Sequence, residues 1–242
     1  MNQEPVATLD QWLRRLLRRA ELLLADGAEP PAEIPPELRQ IEGYFDDKPI
    51  RLLTWRLRSP YFASLTLAAL EAEGRLCSLT VIGLPQPGAP WPVLGMDIIA
   101  LRGSISLLAI DLAPTDWSFW KAHCEGVLHQ VRAAAAPALV LRKRPDFTAE
   151  AFSPLALIAG VRSGQEAPAL AAAELLLERI AEILRSAALP QFSPVARERQ
   201  SRWLAAERRN RKEHNALERM FGPALATHYL DDFLFRTDPG GA

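Results

Sequence analysis

The chain predicts an α/β domain built on one antiparallel sheet, and three observations carry that expectation. Between residues 50 and 112, five apolar or alternating segments follow one another through connections too short to hold a helix. Helical periodicity stands before and after that block rather than inside it, which argues against the β-α-β alternation of a parallel sheet. The 242 residues are 49% hydrophobic, enough to bury a full core as a single domain over 1–242.

In chain order, Thr8-x-x-Gln11 reads as a capping box that opens an amphipathic helix. Leu9, Trp12, Leu13, Leu16, Leu17, Ala20, Leu23 and Leu24 share one of its faces, and Arg14, Arg15, Arg18 and Arg19 share the other. That basic face suits a helix packed on a sheet with solvated arginines, the other reading being a membrane-surface or calmodulin-like contact. Asp26-Gly27 closes the helix, and the Pro/Glu-rich 28–36 reads as a surface connection. Segments 50–57, 63–70 and 75–84 form a meander with a turn at 71–74. Strands 93–101 and 104–112 extend it through a tight turn at Arg102-Gly103. Thr115-Asp116 starts a helix through Trp117, Trp120, Cys124, Val127, Leu128 and Val131. Further helices are expected at 168–187, 194–209, 213–221 and 223–235, the last two parted by Gly222-Pro223. The tail 236–242 is expected to be disordered.

Composition narrows the function. Twenty-eight basic against 29 acidic side chains give a net charge of -1, which argues against a general binder of nucleic acid or anionic membrane. The polar start MNQEPVATLDQ is unlike a signal peptide, and no run approaches the roughly 18 apolar residues of a membrane span. Cys77 and Cys124 form no CxxC and lie in apolar surroundings, so a soluble protein of the reducing cytoplasm is expected. His123, His129, His214 and His228 make no zinc-binding spacing, and no metal is expected. P-loop, GxGxxG and GxSxG motifs are missing from the sequence, leaving nucleotide-linked and α/β-hydrolase chemistry without support.

The residue that stands out is Asp97, in the middle of a strand among Val93, Leu94, Met96, Ile98 and Ile99. A carboxylate buried there is costly and has its pKa raised, which suits proton chemistry. The bland reading places it on the polar side of a half-exposed sheet, facing water or a satisfied hydrogen bond.

The pattern around it decides between these. PVLGMDIIALRGSISLLAIDLAP at 92–114, Phe152-Ser153-Pro154, and LERMFGPALATHYLDDFLF at 217–235 together resemble the ferredoxin-dependent bilin reductases. The resemblance implies a three-layer α/β/α sandwich, a central antiparallel sheet flanked by helices on both faces, with an open-chain tetrapyrrole between the sheet and the C-terminal helices. It implies an oxidoreductase with no tightly bound cofactor that draws electrons from reduced ferredoxin. It also implies biliverdin as substrate, with a heme oxygenase or a phytochrome-type bilin acceptor as further partners.

Residue by residue, the resemblance makes Asp97 the central acid. Thr80 stands where the phycocyanobilin-forming members of the family carry a catalytic His and others carry Asn. The family's His-x-Glu falls on Thr66-Leu67-Ala68, so the glutamate that protonates the D-ring vinyl group is missing. Its Asn-Asp falls on Asn210-Arg211, so the aspartate linked to A-ring reduction is an arginine. Thr66, Thr80 and Met96 are expected to border the substrate. Arg142, Lys143 and Arg144, with Arg208, Arg209, Arg211 and Lys212, supply candidates for propionate clamps or for docking acidic ferredoxin. Asp231 and Asp232 are conceivable second proton sources, though a solvated helix face is the plainer reading. The expected activity is reduction of biliverdin IXα at the C15 bridge or the A ring, to dihydrobiliverdin or phycoerythrobilin-type products. The alternative is a bilin-binding carrier or chaperone that kept the pocket and lost the chemistry.

Overall fold

Alternation along each strand sends neighbouring side chains to opposite faces, and in this chain the two faces have different tasks. The computed structural model describes residues 9–25, 32–149, 151–186 and 191–236. Its strands are β1 (Gln40–Phe45), β2 (Lys48–Leu57), β3 (Phe62–Ala72), β4 (Leu76–Pro85), β5 (Val93–Leu101), β6 (Ser104–Ala113), β7 (Leu139–Leu141) and β8 (Leu157–Val161). They form one sheet in the order β1-β2-β3-β4-β5-β6-β8-β7, every neighbouring pair antiparallel. The β5–β6 turn has Arg102 at φ 51° and Gly103 at φ 83°, the left-handed pair of a two-residue hairpin whose twist matches its strands.

One face is apolar throughout. Leu67, Leu79, Val81, Leu94, Met96, Ile98 and Ile110 are buried in the larger core. Helices α1 (Leu9–Leu24), α4 (Glu125–Ala135) and α5 (Glu166–Ser186) contribute the other half of that core through Leu13, Leu16, Leu128, Val131, Leu176 and Ile180. The arginine face of α1 is tied to its neighbours within the fold: Arg19 pairs with Glu178 at 2.6 Å and Arg14 with Glu71 at 3.0 Å. The short α2 (Pro36–Arg39) leads into β1, and α3 (Trp117–His123) precedes α4, with the Trp120 indole N–H donating to Leu112 O at 2.6 Å.

The other face carries the polar positions and is covered by α6 (Pro194–Arg208), α7 (Arg211–Phe221), α8 (Pro223–Thr227) and a π-helical turn, His228–Leu234. Helices on both faces make the three-layer α/β/α sandwich. Their contact with the sheet is a smaller cluster that includes Ile82, Val93, Trp203, Leu204, Leu217 and Phe235. Gly43 lets β1 approach the end of α7, because a Cβ there would collide with the Met220 carbonyl.

Several boundaries differ from the sequence reading. The expected 115–131 helix is two helices meeting at Cys124, and 223–235 changes from α to π geometry at His228, where Phe235 N–H donates back to Leu230 O at 2.8 Å. Strands β1, β7 and β8 were not expected. β1 buries only Ile41, and β7 and β8 are too short for alternation to declare itself. The capping box at Thr8, the stop at Asp26-Gly27 and the tail from 237 onward lie outside the described residues.

Candidate active site

A row of register partners crosses the polar face: Thr54, Ala68, Thr80, Asp97 and Ala109, on β2 to β6 in turn. Being directly opposite one another, they point the same way. Near the middle, the Thr80 hydroxyl donates to Asp97 Oδ1 at 2.9 Å. Burial pushes the Asp97 carboxyl up to about 6, and the Thr80 hydrogen bond opposes part of that rise by favouring the ionised form.

Above this floor is a cavity of about 360 Å³, inside the range of small-molecule sites. Its apolar walls include Phe152, Trp203 and Phe235, whose rings pack with centroids 6.0 Å apart in succession. Its roof carries two carboxylic acids that the sequence reading passed over, Glu207 at the end of α6 and Glu213 in the first turn of α7. Asn210, between the helices, donates from Nδ2 to Glu213 Oε2 at 3.2 Å. Burial and the neighbouring Asp97 charge push Glu213 up to about 8, against the Asn210 hydrogen bond. Glu207 is raised well above the usual glutamate range by burial first, then by Glu213 and Asp97. These acids hide among Arg208, Arg209, Arg211 and Lys212, which read as a solvated charged stretch. The available signal was periodicity: Glu207 follows the buried Trp203 and Leu204 by four and three residues, and so shares their helix face.

A further acid, Asp111 on β6, lines the cavity but is fully engaged. Ser153 donates to it twice, from the backbone N–H to Oδ2 at 2.9 Å and from the hydroxyl to Oδ1 at 2.5 Å. Burial raises Asp111 to about 6 despite these bonds. The end of the 92–114 segment, at Asp111, and Phe152-Ser153-Pro154 are thus two halves of one tether.

Of the residues expected to border substrate, Thr80, Asp97, Arg142 and Lys212 line this cavity together, with Lys143 beside Arg142. Met96 also borders it, but alternation sends its side chain into the opposite core. Thr66 is not among the lining residues. It is buried one strand beyond, where it accepts from Arg56 Nε at 3.4 Å, and Arg56 itself lies 4.1 Å from the Phe233 ring. Arg211 is exposed at the start of α7 and does not line the cavity. Arg208 is committed to the C-terminal segment, donating to Phe235 O and Asp231 O at 2.9 Å each. Asp231 lies 3.4 Å from His214 and Asp232 3.2 Å from His228, both away from the cavity. Among the described residues, no group of three His, Cys, Asp or Glu could hold a metal ion, and no helix is long and apolar enough to cross a membrane.

Acids on its floor and roof, aromatic walls and the cations Arg142, Lys143 and Lys212 give the cavity the chemistry of a site that takes an anionic ring compound and exchanges protons with it. Residues 23–236 match the sequence model of the family described as ferredoxin-dependent bilin reductase, and the chain belongs to that family. It is an oxidoreductase that reduces a bilin with electrons from ferredoxin. A phycocyanobilin:ferredoxin oxidoreductase of Synechococcus elongatus is 26% identical over 212 residues, covering 86% of this chain and 84% of the relative. One from Trichodesmium erythraeum is 22% identical over 208 residues, covering 85% and 84%. The fold matches the crystal structure of phytochromobilin synthase from tomato in complex with biliverdin, with a TM-score of 0.71 at 13% identity, over 97% of this chain and 86% of that one.

Proposed function

We propose that the protein reduces biliverdin IXα, at the C15 bridge or the A ring, to dihydrobiliverdin or a phycoerythrobilin-type product. The observation that carries this reading is Asp97: a carboxyl raised to about 6 on the cavity floor, with Thr80 beside it and Ala68 opposite Thr80. Neither neighbour titrates near neutral pH. Protonation of the D-ring vinyl group therefore lacks its acid, while protonation at the centre of the tetrapyrrole has one. The biliverdin bound by the tomato structure supports the choice of substrate.

Ferredoxin supplies single electrons, so dihydrobiliverdin takes two in turn with two protons, and a phycoerythrobilin-type product takes two more of each. The first electron makes a substrate radical anion, and proton transfer from Asp97 makes it neutral; a second electron and a second proton complete the dihydro product. Directing those protons is the protein's part, and a group whose pKa lies near the working pH does so best. Arg142 and Lys143 at one rim and Lys212 at another offer charge-assisted hydrogen bonds to the two propionates. The test is anaerobic incubation of the protein with biliverdin and reduced ferredoxin, followed by chromatography against known bilins. A dihydrobiliverdin or phycoerythrobilin-type product supports the reading, and phycocyanobilin contradicts it. A bound bilin left unreduced supports the carrier instead.

A further inference from the structure

Two-electron reduction consumes two protons, and Asp97 holds only one. It must be reprotonated in mid-reaction, or another acid must act. Across the cavity from Asp97, which rises from β5, stand Glu207 and Glu213 on the helices that cover the sheet. Asn210 sits between them in the chain and donates to Glu213 at 3.2 Å, fixing that side chain at the roof. No cation is paired with either glutamate through a salt bridge among the described residues. Burial raises both carboxyls and the charge of Glu213 raises Glu207 further, so at least one proton stays on the pair near neutral pH.

Resting on the reading of the site as a bilin reductase, we propose that Glu213, the carboxyl that Asn210 holds at the roof, is the second acid of the reaction. Asp97 gives its proton to the bilin from the sheet side after the first electron. Glu213 gives its own from the helix side after the second, its O–H bond breaking as the C–H or N–H bond of the product forms. Both carboxylates recover protons from water once the product leaves. The arrangement places a second acid across the cavity from Asp97, on a different wall.

The electrostatic setting agrees with this. Around the cavity stand Asp97 from β5, Asp111 from β6, Arg142 and Lys143 after β7, Glu207 from α6, and Lys212 beside Glu213 on α7. Burial and the Asp97 charge outweigh the Asn210 hydrogen bond and push Glu213 up to about 8.

The test is single turnover of biliverdin with reduced ferredoxin in wild type, Glu213→Gln and Asn210→Ala. Radical decay is followed by electron paramagnetic resonance and absorbance across pH 6 to 9, and product by chromatography. In Glu213→Gln, biliverdin binding and the first reduction should stay as in wild type, while conversion of radical to product slows by about 10²-fold. In Asn210→Ala, the alkaline limit of conversion should move to higher pH than in wild type, because the hydrogen bond that favours ionised Glu213 is gone. If wild type makes product while Glu213→Gln shows an unchanged decay and pH profile, the role of Glu213 is overturned and the reductase reading survives. Should Glu213→Gln not fold, an unmoved alkaline limb in Asn210→Ala overturns the proposal in its place. If wild type forms no product at all, the reductase reading itself falls, and this inference with it.

Discussion

Thr80 and Asp97 are register partners on adjacent strands, and the hydroxyl of the first donates to the carboxylate of the second at 2.9 Å. The threonine cannot titrate near neutral pH, yet it sets how readily its partner does. A hydrogen bond to a charged group is worth about 1.5–3 kcal/mol, and 1.36 kcal/mol moves a pKa by one unit. Thr80→Val should therefore raise the Asp97 pKa by about one unit beyond its present value near 6. The pH profile of the first protonation should shift to higher pH by the same amount with little change in biliverdin binding. A profile that stays where it was would mean that Asp97 is not the titrating group.

Ser153 holds Asp111 by two hydrogen bonds in a site that is almost completely buried. Ser153→Ala leaves one carboxylate oxygen without its donor and should lower stability by about 1–3 kcal/mol. Because the lost bond favours the ionised form, the loss should be larger at pH 8 than at pH 5. Urea unfolding at the two values checks both the size and the sign.

Asp97 and Asp111 are raised from 3.8 to about 6, and Glu213 from 4.5 to about 8. Between about pH 4 and pH 8 the folded state thus binds more protons at these positions than the unfolded chain does. Their contribution to stability is fully present below the unfolded values and is lost as pH rises through the folded ones. The melting temperature of Glu213→Gln should consequently fall less between pH 5 and pH 8 than that of wild type. Parallel curves would show that Glu213 is not raised in the folded protein.

Much of the sheet was legible because its five central strands carry long apolar or alternating runs, and the 93–101 strand falls where it was expected. The edges were not. Gln40–Phe45 buries a single hydrophobic side chain, and Leu139–Leu141 exposes Val140 and Leu141, so neither has a periodic signature. Asp97 was conspicuous because a charge interrupts an apolar strand. Glu207 and Glu213 were not, since acids among basic residues look solvated and only the fold turns them toward the sheet. Thr66 shares its face with the cavity floor, but the C-terminal segment closes over that end, which a register count alone does not reveal.

The central claim is that Asp97 delivers a proton to the bilin, and the Asp97→Asn variant tests it most directly. Asparagine nearly preserves size and hydrogen bonding but removes the transferable proton. In an anaerobic single turnover with reduced ferredoxin, followed by absorbance and electron paramagnetic resonance, the variant should bind biliverdin as wild type does and accept the first electron. It should then stall as a long-lived radical, with product formation slowed by about 10²–10⁴-fold. An Asp97→Asn protein that forms the wild-type product at the wild-type rate would contradict the account.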